Sequence, residues 1–213
     1  YGYSIEDLAE HCSYEEVVYL LLKGELPNAE QLAQLKKELV AARGLPYGVR
    51  DVIKSAPKTS IPMDVLRTAA SALALTDAAP NDNTEQGRHN KAIRLIAQFP
   101  EIVAADYRTR RGQEPVAPDP ELGHAANFLY MLHGEKPGDQ AARTMDCALV
   151  LHAEHSFNAS TFTARVIAAT LSDMYSSITG AIGALKGPLH GGANEGVIKN
   201  LIDIGEPDNI KPW

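Results

Sequence analysis

The sequence predicts an all-α chain, and three observations carry that prediction. Alanine and leucine dominate a hydrophobic content of 45%, aromatics make up only 6%, and alternating β-branched runs are scarce. The 13 prolines and 16 glycines fall mostly between periodic segments, where helix punctuation belongs. Capping signals stand directly before apolar runs of helical spacing.

The elements follow in order. Ser13-Tyr-Glu-Glu16 reads as a capping box before Val17, Val18, Leu20 and Leu21. Asn28-Ala-Glu-Gln31 is a second box, directly after Pro27. Pro62 suits a first helical position, and Met63, Leu66, Ala70 and Leu73 trace one apolar face from it. Thr84 caps a helix that Pro100 is expected to close, and a short helix from Glu101 should end near Gly112. Residues 112–120 are polar and proline-rich, which predicts a surface loop. A helix from about Pro120 should end at Gly134. The next, from Asp139 to about Glu154, carries the stripe Ala142, Met145 and Leu149, continued by the polar His152. From Asn158 to Lys186 the chain is nearly unbroken helix former, with a join near Ser172-Asp173 and a stop at Gly187-Pro188. Asn194 can cap a final helix to about Ile204. No repeat or long linker interrupts this pattern, and about ten helices with short connections are expected.

Composition narrows function. The 213 residues suffice for one sizeable core. With 20 basic and 27 acidic residues the net charge is −7, which argues against a nucleic-acid binder but not against a local cationic pocket. Two cysteines, Cys12 and Cys147, are too few for a disulfide framework, so free thiols in a cytoplasmic setting are expected. The richest short apolar run, Val17 to Leu22, falls far below a membrane span. The chain opens on Tyr1 rather than Met, which reads as part of a longer protein.

Two stretches carry candidate chemistry. In His152-Ala-Glu-His155-Ser-Phe-Asn158 one helix ends and another begins. A helix C-terminus favours a protonated histidine, and a helix N-terminus offers N–H groups to an anion. His155 and Asn158 therefore stand where a carboxylate or polarised carbonyl could be held. The same residues also fit a capped corner, and His152, continuing an apolar stripe, reads as a core histidine. In Gly187-Pro-Leu-His190-Gly-Gly-Ala-Asn194 a histidine stands between a proline and two glycines. Glycines permit close approach of a ligand to the backbone. The following helix N-terminus favours a neutral imidazole able to donate to a developing oxyanion. An incidental histidine in a turn is the plainer alternative.

Other patterns mislead. His152 and His155 match no zinc motif, and no metal is expected. Gly180 to Gly187 is glycine-rich, but no Ser or Thr follows Lys186, so it is neither a phosphate-binding loop nor a dinucleotide fingerprint. Gly180, Ala184 and Gly187 instead suit close helix packing, within a subunit or across a dimer. Arg108, Arg110 and Arg111 read as a solvated basic face.

His152-Ala-Glu-His155-Ser-Phe-Asn158-Ala-Ser-Thr161-Phe162 followed by Gly187-Pro-Leu-His190-Gly-Gly-Ala-Asn194-Glu195 resembles citrate synthases and their 2-methylcitrate synthase relatives. Gly2 to Leu8, Leu22 to Pro27, Pro62 to Arg67 and Asn127 to Leu132 support the resemblance along essentially the whole chain. It implies that residues 1–213 form the large helical, dimerisation domain of that type. It implies an acyltransferase that condenses acetyl-CoA with oxaloacetate and water to citrate and CoA, with no metal or prosthetic group. It implies a homodimer, and it leaves a larger assembly open. It assigns oxaloacetate binding to His155, a place near that pocket to Asn158, and stabilisation of the enol to His190.

The sequence departs from the family after His190. The later acids, Glu195, Asp203, Glu206 and Asp208, match no base motif. The small domain with the catalytic carboxylate is expected beyond residue 213, and the chain without it is expected to be inactive. The alternatives are a 2-methylcitrate synthase using propionyl-CoA, which Leu189 weakly disfavours, and a helical dimerisation module without activity.

Overall fold

The capping residues read from the sequence do their work in the computed structural model, which describes residues 2–211. Ser13 accepts from the Glu16 N–H, and the Glu16 carboxylate accepts from the Ser13 N–H at 2.7 Å. Asn28 and Gln31 exchange the same pair of bonds. Thr84, Asn158 and Asp173 each accept from the N–H three residues on.

Among the described residues the chain forms eleven α-helices and no strand. They are α1 (Ile5–His11), α2 (Tyr14–Lys23), α3 (Ala29–Ala41), α4 (Tyr47–Ser55), α5 (Pro62–Leu73) and α6 (Glu85–Arg110). After a proline-rich connection come α7 (His124–His133), α8 (Asp139–His152), α9 (Ala159–Ala169), α10 (Met174–Leu185) and α11 (Gly192–Ile204). The fold class is as predicted. No helix among the described residues is long and apolar enough to cross a membrane, and both cysteines are free.

One expectation fails at the centre of the molecule. Pro100 does not close a helix; α6 runs through it without a break for 26 residues. A proline inside a helix costs about 3 kcal/mol through the lost N–H and the clash with the preceding turn. Ending α6 there would give up the burial of Ile102, Ala104 and Ala105 and the bonds that the Glu101 carboxylate accepts from the Gly44 and Leu45 N–H groups. Ile93 and Ala97 pack with Val18, Leu35 and Leu39 in one cluster, and Leu95, Ile102 and Ala105 pack with α4, α5 and Tyr175 in another. Each large aliphatic side chain so buried contributes about 1.5–3 kcal/mol. Tertiary burial therefore wins over the local signal.

Polar side chains of α6 reinforce the arrangement. Gln98 donates to the carbonyls of Ala42 and Gly44 at 3.2 Å each, and the buried Glu101 carboxylate accepts from the Leu45 N–H at 3.1 Å and from that of Gly44. Together they clip the α3–α4 connection onto α6.

Smaller corrections concern faces and ends. The buried residues of α5 are Val65, Ala69, Ala70 and Leu73, so Ala70 and Leu73 lie as expected, while Met63 and Leu66 are only partly covered. Helix α7 starts at His124 rather than Pro120. Of the arginine run only Arg111 is exposed as expected; the other two are partly buried and engaged. Arg108 donates to the carbonyls of Glu114 and Leu132, while Arg110 pairs with Asp106 at 2.6 Å and donates to the carbonyls of Lys58 and Ser60. These side chains tie the end of α6 to two loops.

His124 opens α7 in a buried position, its ring 5.0 Å from that of Tyr14. Burial, and then the charge of Arg43, push its pKa down to about 4 against the opposing pull of Asp146. The unfolded chain takes up this proton near pH 6.5, and the folded chain only near pH 4. Stability from this site is therefore intact above pH 6.5 and is lost as the pH falls through that window. The loss reaches roughly 3 kcal/mol by about pH 4. Urea unfolding near neutrality and near pH 4 should show this excess acid sensitivity in the wild type and not in His124→Phe. Equal pH slopes in the two proteins would refute the assignment.

Candidate active site

The α8–α9 corner is built by its cap. Asn158 has extended backbone (φ −72°, ψ 170°), and its side-chain oxygen accepts the Thr161 N–H at 2.9 Å, so α9 starts where the sequence places it. The turn before it requires Ser156 at φ 56°, with the Glu154 carboxylate accepting from the Ser156 N–H. His155 is exposed in this turn, beside a groove of about 820 Å³ between α1, α2 and the end of α8. Tyr3, Ile5, Val17 and Leu151 line its apolar part, and Glu154 and His155 its polar part. His152 is not a core histidine. It is exposed on the last turn of α8, where Nδ1 donates to the Ala148 carbonyl at 2.7 Å. Its ring meets that of His155 edge-on at 6.0 Å. On the far side of the corner Phe157 and Phe162 pack 5.7 Å apart, with the Arg165 guanidinium 4.9 Å from the Phe157 ring centre.

The second stretch forms a tight turn from Lys186 to Gly191. The His190 N–H donates to the Gly187 carbonyl at 2.9 Å, and the Gly191 N–H reaches back to the Leu185 carbonyl at 3.0 Å. That closure explains one glycine: a Cβ on Gly191 would lie 2.2 Å from the Leu185 oxygen. Leu189 projects fully into solvent, whereas His190 turns inward and is partly buried. Its Nε2 lies 2.6 Å from Oγ of Ser160.

This contact joins the two stretches. Ser160 is in the first turn of α9, two residues after the Asn158 cap and five after His155. The structure thus docks His190 on the helix start that Asn158 holds and His155 precedes. Sequence reading missed Ser160. The available signal was its place in a capped first turn, where side chains and free N–H groups share one space. Asn194 is not the cap of the last helix: α11 opens at Gly192 with Gly191 before it, and the Asn194 side chain lies outside the described residues.

The glycine in the middle of α10 serves packing within the chain. A Cβ on Gly180 would lie 2.3 Å from Cδ1 of Ile167, so α9 and α10 touch backbone to side chain there. Beyond His190, Glu195, Asp203, Glu206 and Asp208 are all exposed, and Glu195 pairs with Lys199 at 2.8 Å. None of them is presented to the His190 turn as a sheltered base.

Chemically, the turn holds an imidazole with one nitrogen engaged by a hydroxyl. With Ser160 donating to Nε2, a neutral ring carries its proton on Nδ1 and can donate it to a developing oxyanion. The cap makes an independent prediction. Asn158→Ala should cost about 1 kcal/mol in urea unfolding, and Asn158→Ser should recover most of it, since both Ser and Asn satisfy the helix N–H groups. Equal losses for the two variants would show that the cap bond does not hold α9.

Comparison with known proteins adds the following. Residues 1–213 match the family model described as citrate synthase, C-terminal domain. The chain is 50% identical to citrate synthase 2 of Bacillus subtilis over 213 residues and 51% identical to 2-methylcitrate synthase 1 of Corynebacterium glutamicum over 219. Each match covers 100% of this chain and 57% of the relative. Citrate synthase from Pyrobaculum aerophilum superimposes with a TM-score of 0.89 at 43% identity, over 97% of this chain and 54% of that one. The structure from Thermoplasma acidophilum, a ternary complex of carboxymethyl coenzyme A and oxaloacetate with citrate synthase, gives 0.89 at 34% identity, over 100% and 56%. The chain spans about half the length of the relatives it matches.

Proposed function

The chain belongs to the citrate synthase family, and on that premise we propose that the protein carrying it condenses acetyl-CoA with oxaloacetate and water to citrate and CoA. The observation that carries the reading is the docking of His190, through Ser160, on the first turn of α9. The chemistry needs such a group. A thioester methyl is a weak carbon acid, and its deprotonation requires both a base and stabilisation of the enol oxygen. His190, donating from Nδ1, serves the oxygen. His155 and Asn158, beside the N–H groups of α9, serve oxaloacetate. The enol carbon attacks the ketone carbon, the ketone oxygen gains a proton, and water then cleaves the thioester to release CoA. The base is a carboxylate supplied from outside these residues by domain closure, which also excludes water before condensation. The mechanism calls on no metal or prosthetic group.

Residues 1–213 form the large helical domain, and a small domain completes the site. The protein works as a homodimer in the cytoplasm, at the entry to the citric acid cycle. The free thiols of Cys12 and Cys147 fit that compartment, and the exposed Val197, Ile198, Leu201 and Ile202 of α11 fit a subunit contact. A second reading, 2-methylcitrate synthesis from propionyl-CoA, has support in a relative of that name at 51% identity.

Thiol release by the full-length protein decides between them. Turnover is expected to require oxaloacetate and to be faster with acetyl-CoA than with propionyl-CoA. His190→Ala should lower kcat by about 10²–10³-fold, the usual cost of removing an oxyanion donor. A preference for propionyl-CoA would establish the second reading, and no thiol release with either would leave a helical assembly module.

A further inference from the structure

The His190 turn has a second anchor besides Ser160. Lys186, the residue that ends α10, places Nζ 2.7 Å and 2.8 Å from the two carboxylate oxygens of Asp64. Asp64 is the third residue of α5 and is also paired with Arg67 at 2.9 Å. The location suits both charges. A cation at a helix C-terminus and an anion in a first turn each complement the helix dipole beside them. Here one ion pair does so for two helices that pack on each other. Lys186 and Arg67 hold the Asp64 carboxyl below the usual carboxylate range.

Covalent and hydrogen-bond continuity carries this anchor to the histidine. Three residues separate Lys186 from His190, and the turn between them is closed on itself by the bonds from Gly187 to Ala184, from His190 to Gly187 and from Gly191 to Leu185. Such a turn moves as a unit. It is strung between α5, through Lys186, and α9, through His190 and Ser160. Released from α5, it could pivot about the Ser160 contact and carry the imidazole with it.

We propose that the Asp64–Lys186 ion pair is a positioning device for catalysis: it fixes the turn 186–191, and through it the donor nitrogen of His190, relative to the substrate held at α9. The proposal rests on the role given to His190 above. Neither Asp64 nor Lys186 touches substrate in it; both act through the turn.

The test compares Lys186→Met and Lys186→Arg in the full-length protein by steady-state thiol release and by hydrogen exchange of the Gly187, Leu189, His190 and Gly191 amides. Lys186→Met keeps the aliphatic stem and removes the charge. It should lower kcat about tenfold, since a displacement of an ångström or less at a reacting group costs this much or more, while KM for oxaloacetate changes less than twofold. Its Gly191 amide should exchange about fivefold faster than in wild type. Lys186→Arg, which can still reach both carboxylate oxygens, should restore kcat to within about twofold. A purely structural pair would lower the melting temperature and leave kcat and loop exchange at the wild-type values, and that result overturns the proposal. Unchanged loop exchange overturns it even if kcat falls. A wild-type protein without turnover refutes the catalytic role together with the proposed function, whereas an active wild type with an equally active Lys186→Met refutes this inference alone.

Discussion

The unbroken course of α6 is the constraint on which the rest of the domain depends. It is the longest helix among the described residues, and both apolar clusters share its side chains. Its Gln98 and Glu101 fasten the α3–α4 connection, and Arg94 reaches the buried Tyr175 hydroxyl at 3.2 Å, which in turn donates to Asp77 at 2.6 Å. That last network sets α10 against α6. The candidate site is thus two steps removed from the central helix: α6 places α10, and α10 delivers the His190 turn.

The site itself is a meeting of helix ends rather than a cavity in the core. One histidine precedes the start of α9, and the other follows the end of α10 and returns to α9. Helix ends leave backbone groups unpaired, so they are where the chain can offer donors to a ligand without breaking its own ladder. The close approach of α9 and α10 at Gly180 and Ile167 keeps these two ends in register. The family relation extends over the whole chain, and the solved structures it matches at TM-scores of 0.89 share its fold.

What could be read from the sequence was local. The capping boxes, the Asn158 cap and the stop after Lys186 each depend on contacts within four residues, and each stands where the residues put it. The stop predicted at Pro100 was local too, and there burial on both sides of α6 overrode it. The partners that matter for the site are distant in sequence: His190 to Ser160 spans 30 residues, and Lys186 to Asp64 spans 122. No periodicity encodes such pairs. The reading of Arg108 and Arg110 failed for the same reason, because the carbonyls that receive them include those of Lys58 and Ser60, some fifty residues away. The motif histidines were legible only through family resemblance; physics alone left each of them open.

The arginine clamps bear on how the chain meets proteases. Arg108, Arg110 and Arg111 beside a proline-rich connection look like an inviting tryptic site. Cleavage requires a stretch of backbone drawn out into the enzyme's groove, with the arginine side chain free to enter its specificity pocket. Here the guanidiniums of Arg108 and Arg110 donate to the backbone carbonyls of Glu114, Leu132, Lys58 and Ser60, and that of Arg111 lies 3.5 Å from the Tyr107 ring centre. Nicking at this place therefore waits on fraying of the end of α6, which makes the rate of limited digestion a gauge of the central helix rather than of the loop beside it.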